Sequence, residues 1–291
     1  MTAEYTTVQL PDGRAMEVLR HGPRDAFPLV FHNGTPGGPV EIAPLHEAVD
    51  AQGWQLVAPA RPGYAGSARH EGRSVADVAA DVAAILDAFD LGRFATLGWS
   101  GGGPHALACA ALLPDRCTAA ATLAGVAPFE AEGLDWDAGM GPENVTEFGT
   151  AARSRADLEA LLEEWAAGLV QLTGEQVATS FGELIDDVDR AALTGEFAAT
   201  MAAMIRHALS TGIAGWVDDD LAFVRPWGFD LAAITVPVSI WQGAHDHMVP
   251  FAHGKWLAAH VPGATVHLDD DEGHLSLARQ MPRIVAELSG S

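Results

Sequence analysis

The chain of 291 residues has one lysine, two cysteines and two tyrosines, and these scarcities limit what the protein can be. Cys109 and Cys117 form neither a C-x-x-C pair nor part of a metal-ligand spacing, so a disulfide framework and a zinc module are set aside. Cations are also few: 16 Lys and Arg face 39 Asp and Glu, a formal net charge of −23. A field of that sign repels phosphate backbones and anionic lipid, which argues against nucleic acid and membrane surfaces as partners. No apolar run approaches the roughly 18 residues of a membrane helix. Met1 to Leu10 carries Glu4 and lacks both a basic flank and an apolar stretch, so the expectation is no secretory signal and a cytoplasmic protein. Self-association into a homo-oligomer is left open.

Hydrophobic residues make up 48% of the chain and charged residues 19%, enough apolar content to bury a substantial core without disulfides. Two short strands, TTVQL and MEVL, flank Pro11-Asp12-Gly13 and read as a hairpin. Continuous apolar runs follow, FPLVF at 27–31 and WQLVAPA at 54–60, each opening into glycine- and proline-rich sequence, as buried parallel strands do. Helical spacing covers 42–52 and 74–90, the latter with Val75, Val78, Val82, Ile85 and Leu86 on one side. Strand FATLGW, a helix from Pro104 to Leu113 and strand CTAAATLAG come next. This alternation predicts an α/β fold with a doubly wound, mostly parallel eight-stranded sheet.

Near residue 128 the alternation stops, and it resumes at ITVPVSIW, residues 234–241. The intervening sequence reads as helices over about 152–170, 175–187 and 194–210, an insertion of residues 130–228 into a core formed by 1–129 and 229–291. A helix at about 251–259, strand ATVHL at 264–268 and a helix at about 275–288 close the chain.

The chemistry centres on Gly98-Trp99-Ser100-Gly101-Gly102, a G-x-S-x-G between a strand and a helix. On such a sharp turn the serine hydroxyl leads, and a side chain at Gly98 or Gly102 would collide with backbone. A serine hydroxyl is a weak nucleophile at neutral pH and needs a base that is itself oriented by a third group. Of the twelve histidines, His274 follows the last strand, where a loop can carry imidazole over the carboxyl edge of the sheet. Asp246 follows the preceding strand at that edge, so the order along the chain is Ser, Asp, His. His245 and His247, on either side of Asp246, are expected to point away from His274. The loop FHNGTPGG at 31–38 supplies the remaining part, backbone N–H groups for a developing oxyanion. Gly101 is one expected donor, and Thr35 or Gly34 the other. The loop lacks the lysine of a phosphate-binding G-x-x-x-x-G-K-[ST].

In this order the segments resemble the α/β-hydrolase superfamily, in particular its lid-bearing serine hydrolases: carboxylesterases, haloperoxidase-like hydrolases and proline iminopeptidases. GWSGG is similar to the nucleophile elbow of that group, HNGTPGG to its oxyanion loop, and RPGYAGS at 61–67 to its D-R-P-G-x-G-x-S stretch. GAHDHMVP is similar to the acid loop, EGH at 272–274 to the histidine loop, and PWGFDL at 226–231 to the segment joining lid and seventh strand. The resemblance implies a serine hydrolase that needs no cofactor and no metal and takes a small-molecule substrate. Two departures bear on the substrate. Alanine stands at position 60 where aspartate often precedes the R-P-G, and Trp99 precedes Ser100 where iminopeptidases place tryptophan after the nucleophile. Small, mainly apolar esters are therefore expected; a proline-iminopeptidase-like aminopeptidase, a C–C bond hydrolase and a binding protein without turnover are the alternatives.

Within the insertion Met201 and Met204 recur at helical spacing and, with Trp99, Trp216 and Trp227, are candidates for a substrate pocket, although a methionine stripe also suits plain helix packing. Two acidic runs, Asp218 to Asp220 and Asp269 to Glu272, read either as solvated loops or as a field at the pocket entrance that disfavours anionic substrates.

Overall fold

The computed structural model describes residues 3–290, so the first two residues of the Met1–Leu10 stretch lie outside the description. Strands β1 (Glu4–Gln9) and β2 (Ala15–His21) form the hairpin, turning at Gly13 with φ of +88°. The alternation follows as β3 (Pro28–His32), α1 (Ala43–Ala51), β4 (Gln55–Pro59), α2 (Val78–Ala88), β5 (Phe94–Trp99), α3 (Gly103–Leu112) and β6 (Cys117–Leu123). Six helices come next: α4 (Pro142–Ala151), α5 (Arg155–Leu169), α6 (Gly174–Ser180), α7 (Asp187–Ala192), α8 (Gly195–Ala208) and α9 (Ala214–Phe223). The sheet then resumes with β7 (Val238–Gly243), α10 (Phe251–His260), β8 (Thr265–Asp269) and α11 (Met281–Ser289). The eight strands form one open sheet in the order β1-β2-β4-β3-β5-β6-β7-β8; only the pairings of β2 with β1 and with β4 are antiparallel.

The unbroken apolar runs are explained by burial on both faces of the sheet. Leu29, Phe31, Leu56, Ala58, Ala95 and Leu97 join a cluster with Leu45 and Val49 of α1 and Ile284 and Val285 of α11. Their neighbours Val30, Val57, Phe94 and Ala120 point the other way, onto Val82, Ile85 and Leu86 of α2, Leu107 of α3 and Leu257 of α10. The period of two is intact, but both registers are apolar because neither face meets water.

Three sequence expectations shift. The helix expected over 175–187 is two helices: Gly182 takes a positive φ of +51°, and the Asp186 side chain accepts from the N–H groups of Val188 and Asp189 to start α7. The strand expected from residue 234 starts at Val238, because Pro237 lacks the N–H a ladder position requires and Leu231–Ala233 form a 3-10 turn capped by Asp230. The run Asp218 to Asp220, read as a solvated or entrance-facing cluster, is buried inside α9. Among the described residues no helix is long and apolar enough to cross a membrane. No group of three or more His, Cys, Asp and Glu there could hold a metal ion, and both cysteines are free and buried.

Leu97, wholly buried in the central strand, tests the core directly. Leu97→Ala is expected to cost about 2–5 kcal/mol, seen as a lower urea midpoint at unchanged m-value.

Candidate active site

The carboxyl ends of β3, β5, β7 and β8 lie on one edge of the sheet, and the loops leaving them bring together residues far apart in sequence. Ser100 follows β5 directly and holds a φ of +55°, a conformation that costs a non-glycine residue about 1–3 kcal/mol and persists only when its surroundings enforce it. Here they do. A methyl group at Gly98 would stand 2.1 Å from the Gly102 carbonyl oxygen, and one at Gly102 would stand 2.0 Å from that of His32. Both expected collisions are present, and α3 leaves the turn with proline in its first turn.

Asp246 and His274 are both buried and joined by a hydrogen bond of 2.8 Å between Oδ2 and Nδ1. The remaining capacity of the carboxylate is filled by Nε2 of Gln242 at 2.8 Å and by the N–H groups of Met248 and Val249 at 2.9 and 2.7 Å. A carboxylate only accepts, so Nδ1 of His274 carries the proton and Nε2 is left as the basic nitrogen. Burial by itself would lower the imidazole pKa, but the Asp246 charge and hydrogen bond outweigh it and the pKa lies above the ordinary histidine value. Trp99 stacks on the ring with centroids 6.3 Å apart. His245 turns away to Asp186, 2.7 Å from its Nδ1, and His247 is exposed.

Ser100 and His274 border a cavity of about 410 Å³. Gly34, Thr35 and Gly101 line it beside Ser100, and Trp99, Met201, Met204 and Trp216 form part of its walls. Trp227 does not. It packs in the core beneath the sheet, stacked on Phe229, because its backbone carbonyl is tied to the Ala76 N–H outside the cavity.

Two buried carboxylate systems, one centred on α9 and one between α9 and α4, were not legible as site components. The first is Asp219, whose Oδ2 accepts from Arg61 Nη2 at 2.5 Å, the Tyr64 hydroxyl at 2.9 Å and the Thr35 hydroxyl at 2.8 Å, while Oδ1 pairs with Arg73 at 2.7 Å. Burial opposes the charge of Asp219, but the two guanidinium groups overcome it and hold its pKa well below the usual carboxylate range. Arg61 also donates to the carbonyls of Asn33 and Gly34. In a trans peptide the N–H points opposite to its carbonyl, so this grip turns the N–H groups of Gly34 and Thr35 away from the guanidinium. Arg61 therefore has its carboxylate although position 60 is alanine; α9 supplies it through space.

The second is Glu147, on the cavity wall, and Asp220 behind it. Trp216 Nε1 donates to Glu147 at 2.6 Å, and no donor reaches either Asp220 oxygen. The two carboxyls can bond to one another only when one carries a proton. Burial pushes Glu147 up to about 6, and burial with the adjacent Glu147 and Asp219 charges pushes Asp220 well above its ordinary value. The pair thus shares a proton near neutrality. The sequence signal was slight: three acids inside the otherwise apolar helix GWVDDDLAF, which mark Asp219 and Asp220 but not Glu147.

A family model described as the alpha/beta hydrolase fold matches residues 28–278. A non-heme chloroperoxidase of Streptomyces lividans is 28% identical over 249 residues, 84% of each chain. A solved alpha/beta hydrolase fold protein from Nakamurella multipartita superposes with a TM-score of 0.65 at 26% identity, covering 99% of this chain and 100% of its own. The enol-lactonase from Burkholderia xenovorans LB400 gives a TM-score of 0.71 at 20% identity over 98% of this chain and 100% of its own, a likeness of fold alone.

Removing one member of a buried, hydrogen-bonded ion pair leaves the others uncompensated. Asp219→Asn is expected to lower stability by about 3–5 kcal/mol, measured by chemical denaturation.

Proposed function

Because the chain belongs to the α/β hydrolase fold family, we propose that it is a serine hydrolase that cleaves small, mainly apolar carboxylic esters through an acyl-enzyme. The observation that carries this reading is Ser100, held at positive φ on a cavity wall shared with an imidazole whose Nδ1 is committed to Asp246. In this reading Ser100 Oγ attacks the ester carbonyl carbon as Nε2 of His274 takes the hydroxyl proton. The charge gathering on the carbonyl oxygen is met by backbone N–H groups of Gly101 and of Thr35 or Gly34. The ester C–O bond then breaks, and His274 returns the proton to the leaving alkoxide. Water, deprotonated by the same nitrogen, attacks the acyl carbon; the acyl–Oγ bond breaks, and His274 returns that proton to Ser100 Oγ as the acid leaves. Asp246 stabilises the imidazolium in both halves, and no cofactor enters the scheme.

The helical segment 130–228 acts as a lid over the core. Its Met201, Met204 and Trp216 close the cavity, whose volume of about 410 Å³ suits a small substrate. These walls are predominantly apolar, which favours uncharged acyl and alcohol groups. One observation supports a second reading within the same chemistry. The Glu147–Asp220 pair places one shared negative charge at the cavity wall once the pH exceeds about 6. A substrate amine would complement it, as an aminopeptidase of the proline-iminopeptidase type requires.

Ser100→Ala is expected to lower kcat/KM for a short-chain aryl ester by a factor on the order of 10³ or more with an unchanged melting temperature; comparable turnover by the purified variant would reject the nucleophile. The base must be neutral to act, and Asp246 raises the His274 pKa. The acid limb of the kcat/KM profile should therefore have its midpoint above the ordinary histidine value of about 6.5. Glu147→Gln separates the two substrate readings. It should leave kcat/KM for the aryl ester near the unmodified value, and lower that for a matched amino ester or prolyl arylamide if amines are the substrates.

A further inference from the structure

The last strand delivers His274 on a loop that a residue of the insertion holds from behind. Asp189 lies in α7, has no solvent exposure, and directs both oxygens at this loop. Its Oδ2 accepts from the His274 N–H at 2.9 Å, and its Oδ1 accepts from the N–H groups of Leu275 at 2.8 Å and Ser276 at 2.9 Å. Three consecutive backbone donors converge on one carboxylate; burial raises its pKa above the ordinary carboxylate value, and the N–H groups together with His274 favour its charged form against that burial. The fit is close: a methyl group at Gly273 would stand 2.4 Å from Asp189 Oδ1.

The surroundings leave this charge with one cationic counterpart. Asp186, one turn earlier, is occupied by His245. Arg190, the next residue, donates to the carbonyls of Ala178, Gly182 and Ile185. Glu272, on the loop itself, accepts from Ser276 Oγ, Arg279 and Gln280. The charged groups facing His274 are therefore Asp246, from the loop after β7, and Asp189, from α7. One binds the ring at Nδ1, and the other binds the backbone of the same residue.

We propose that Asp189 is a positioning residue that fixes the His274 loop over Ser100 and, as a second buried anion, stabilises the imidazolium formed when the proton leaves the serine hydroxyl. The inference rests on His274 being the base. Asp189 acts through the loop and through space, without touching substrate. It supplies a physical reason for the insertion to be anchored where it is: the same segment that closes the cavity also clamps the base. In a dry site a fixed charge near the imidazole acts with little screening, and loop displacement by about 1 Å is enough to lose orders of magnitude in rate. The raised pKa of His274 accords with both anions, burial alone having the opposite sign.

Asp189→Asn removes the charge and sets an amide N–H₂ against backbone donors. Measured per active site by fluorophosphonate titration, this variant should show kcat reduced about tenfold or more with KM for a short-chain aryl ester little changed. The acid limb of its kcat/KM profile should move to lower pH by roughly 0.5–1 unit, because an imidazole with one anion fewer protonates less readily. A purely structural clamp would lower the fraction of competent enzyme and leave the midpoint in place, and that result overturns the proposal. If Asp189→Asn does not fold, Gly273→Ala makes the same test by forcing the carboxylate off the loop: a midpoint at lower pH supports the proposal, an unmoved one overturns it. The two readings fail separately. An unmoved limb with an inactive Ser100→Ala overturns only the role of Asp189, whereas full turnover by Ser100→Ala removes the catalytic assignment beneath it.

Discussion

The ion pair of Arg61 with Asp219 is the contact on which the arrangement at the sheet edge depends. It sits between the loops leaving β3 and β4 and the insertion helix α9, with Arg61 2% and Asp219 0% exposed. Taking two charges out of water costs several kcal/mol for each ion, so such a pair is retained only where the surroundings fill every remaining donor and acceptor. Arg73, Tyr64 and Thr35 complete Asp219, and the carbonyls of Asn33 and Gly34 complete Arg61. The return is geometric. One guanidinium fixes two successive peptides of the glycine-rich loop beside Ser100, a precision that flexible glycine sequence could not hold alone.

The insertion deploys similar carboxylates in three ways, distinguished by their partners. Asp219 faces two guanidinium groups and is a fixed anion. Asp189 faces three backbone N–H groups and anchors a loop. Asp220 faces another carboxyl group, and its pKa is driven far upward by burial and like charge. The large acidic excess of the chain is therefore not only a solvated coat: some of it is structural wiring between the insertion and the core.

This wiring changes how the division of labour between sheet and insertion is understood. The sheet sets Ser100, Asp246 and His274 at three loop positions, while the insertion walls the cavity and holds the glycine-rich loop after β3 through Asp219 and the His274 loop through Asp189. Cavity shape and loop geometry are thus coupled through the same helices. A change in α7 or α9 made to alter the pocket also moves a support of the loops that carry Gly34, Thr35 and His274.

The sequence by itself determined the strand order along the chain, the turn at Gly98 to Gly102 and the grouping of Ser100, Asp246 and His274, because these depend on local rules. Continuous apolar runs mark strands covered on both faces, and loops at strand ends share one edge whatever the packing. The same local rules failed for Trp227, an aromatic whose composition suited a pocket but whose neighbours placed it in the core. They failed again for Asp218 to Asp220: three charges in a row read as solvated or entrance-facing, since burial of a charge is decided by partners distant in sequence. Arg61 and Asp219 are 158 residues apart, and Glu147 reaches Trp216 across 69. Only tertiary structure could decide which acids are paired, which share a proton and which face the cavity, because the energy of a buried charge is set by what packs around it rather than by its place in the chain.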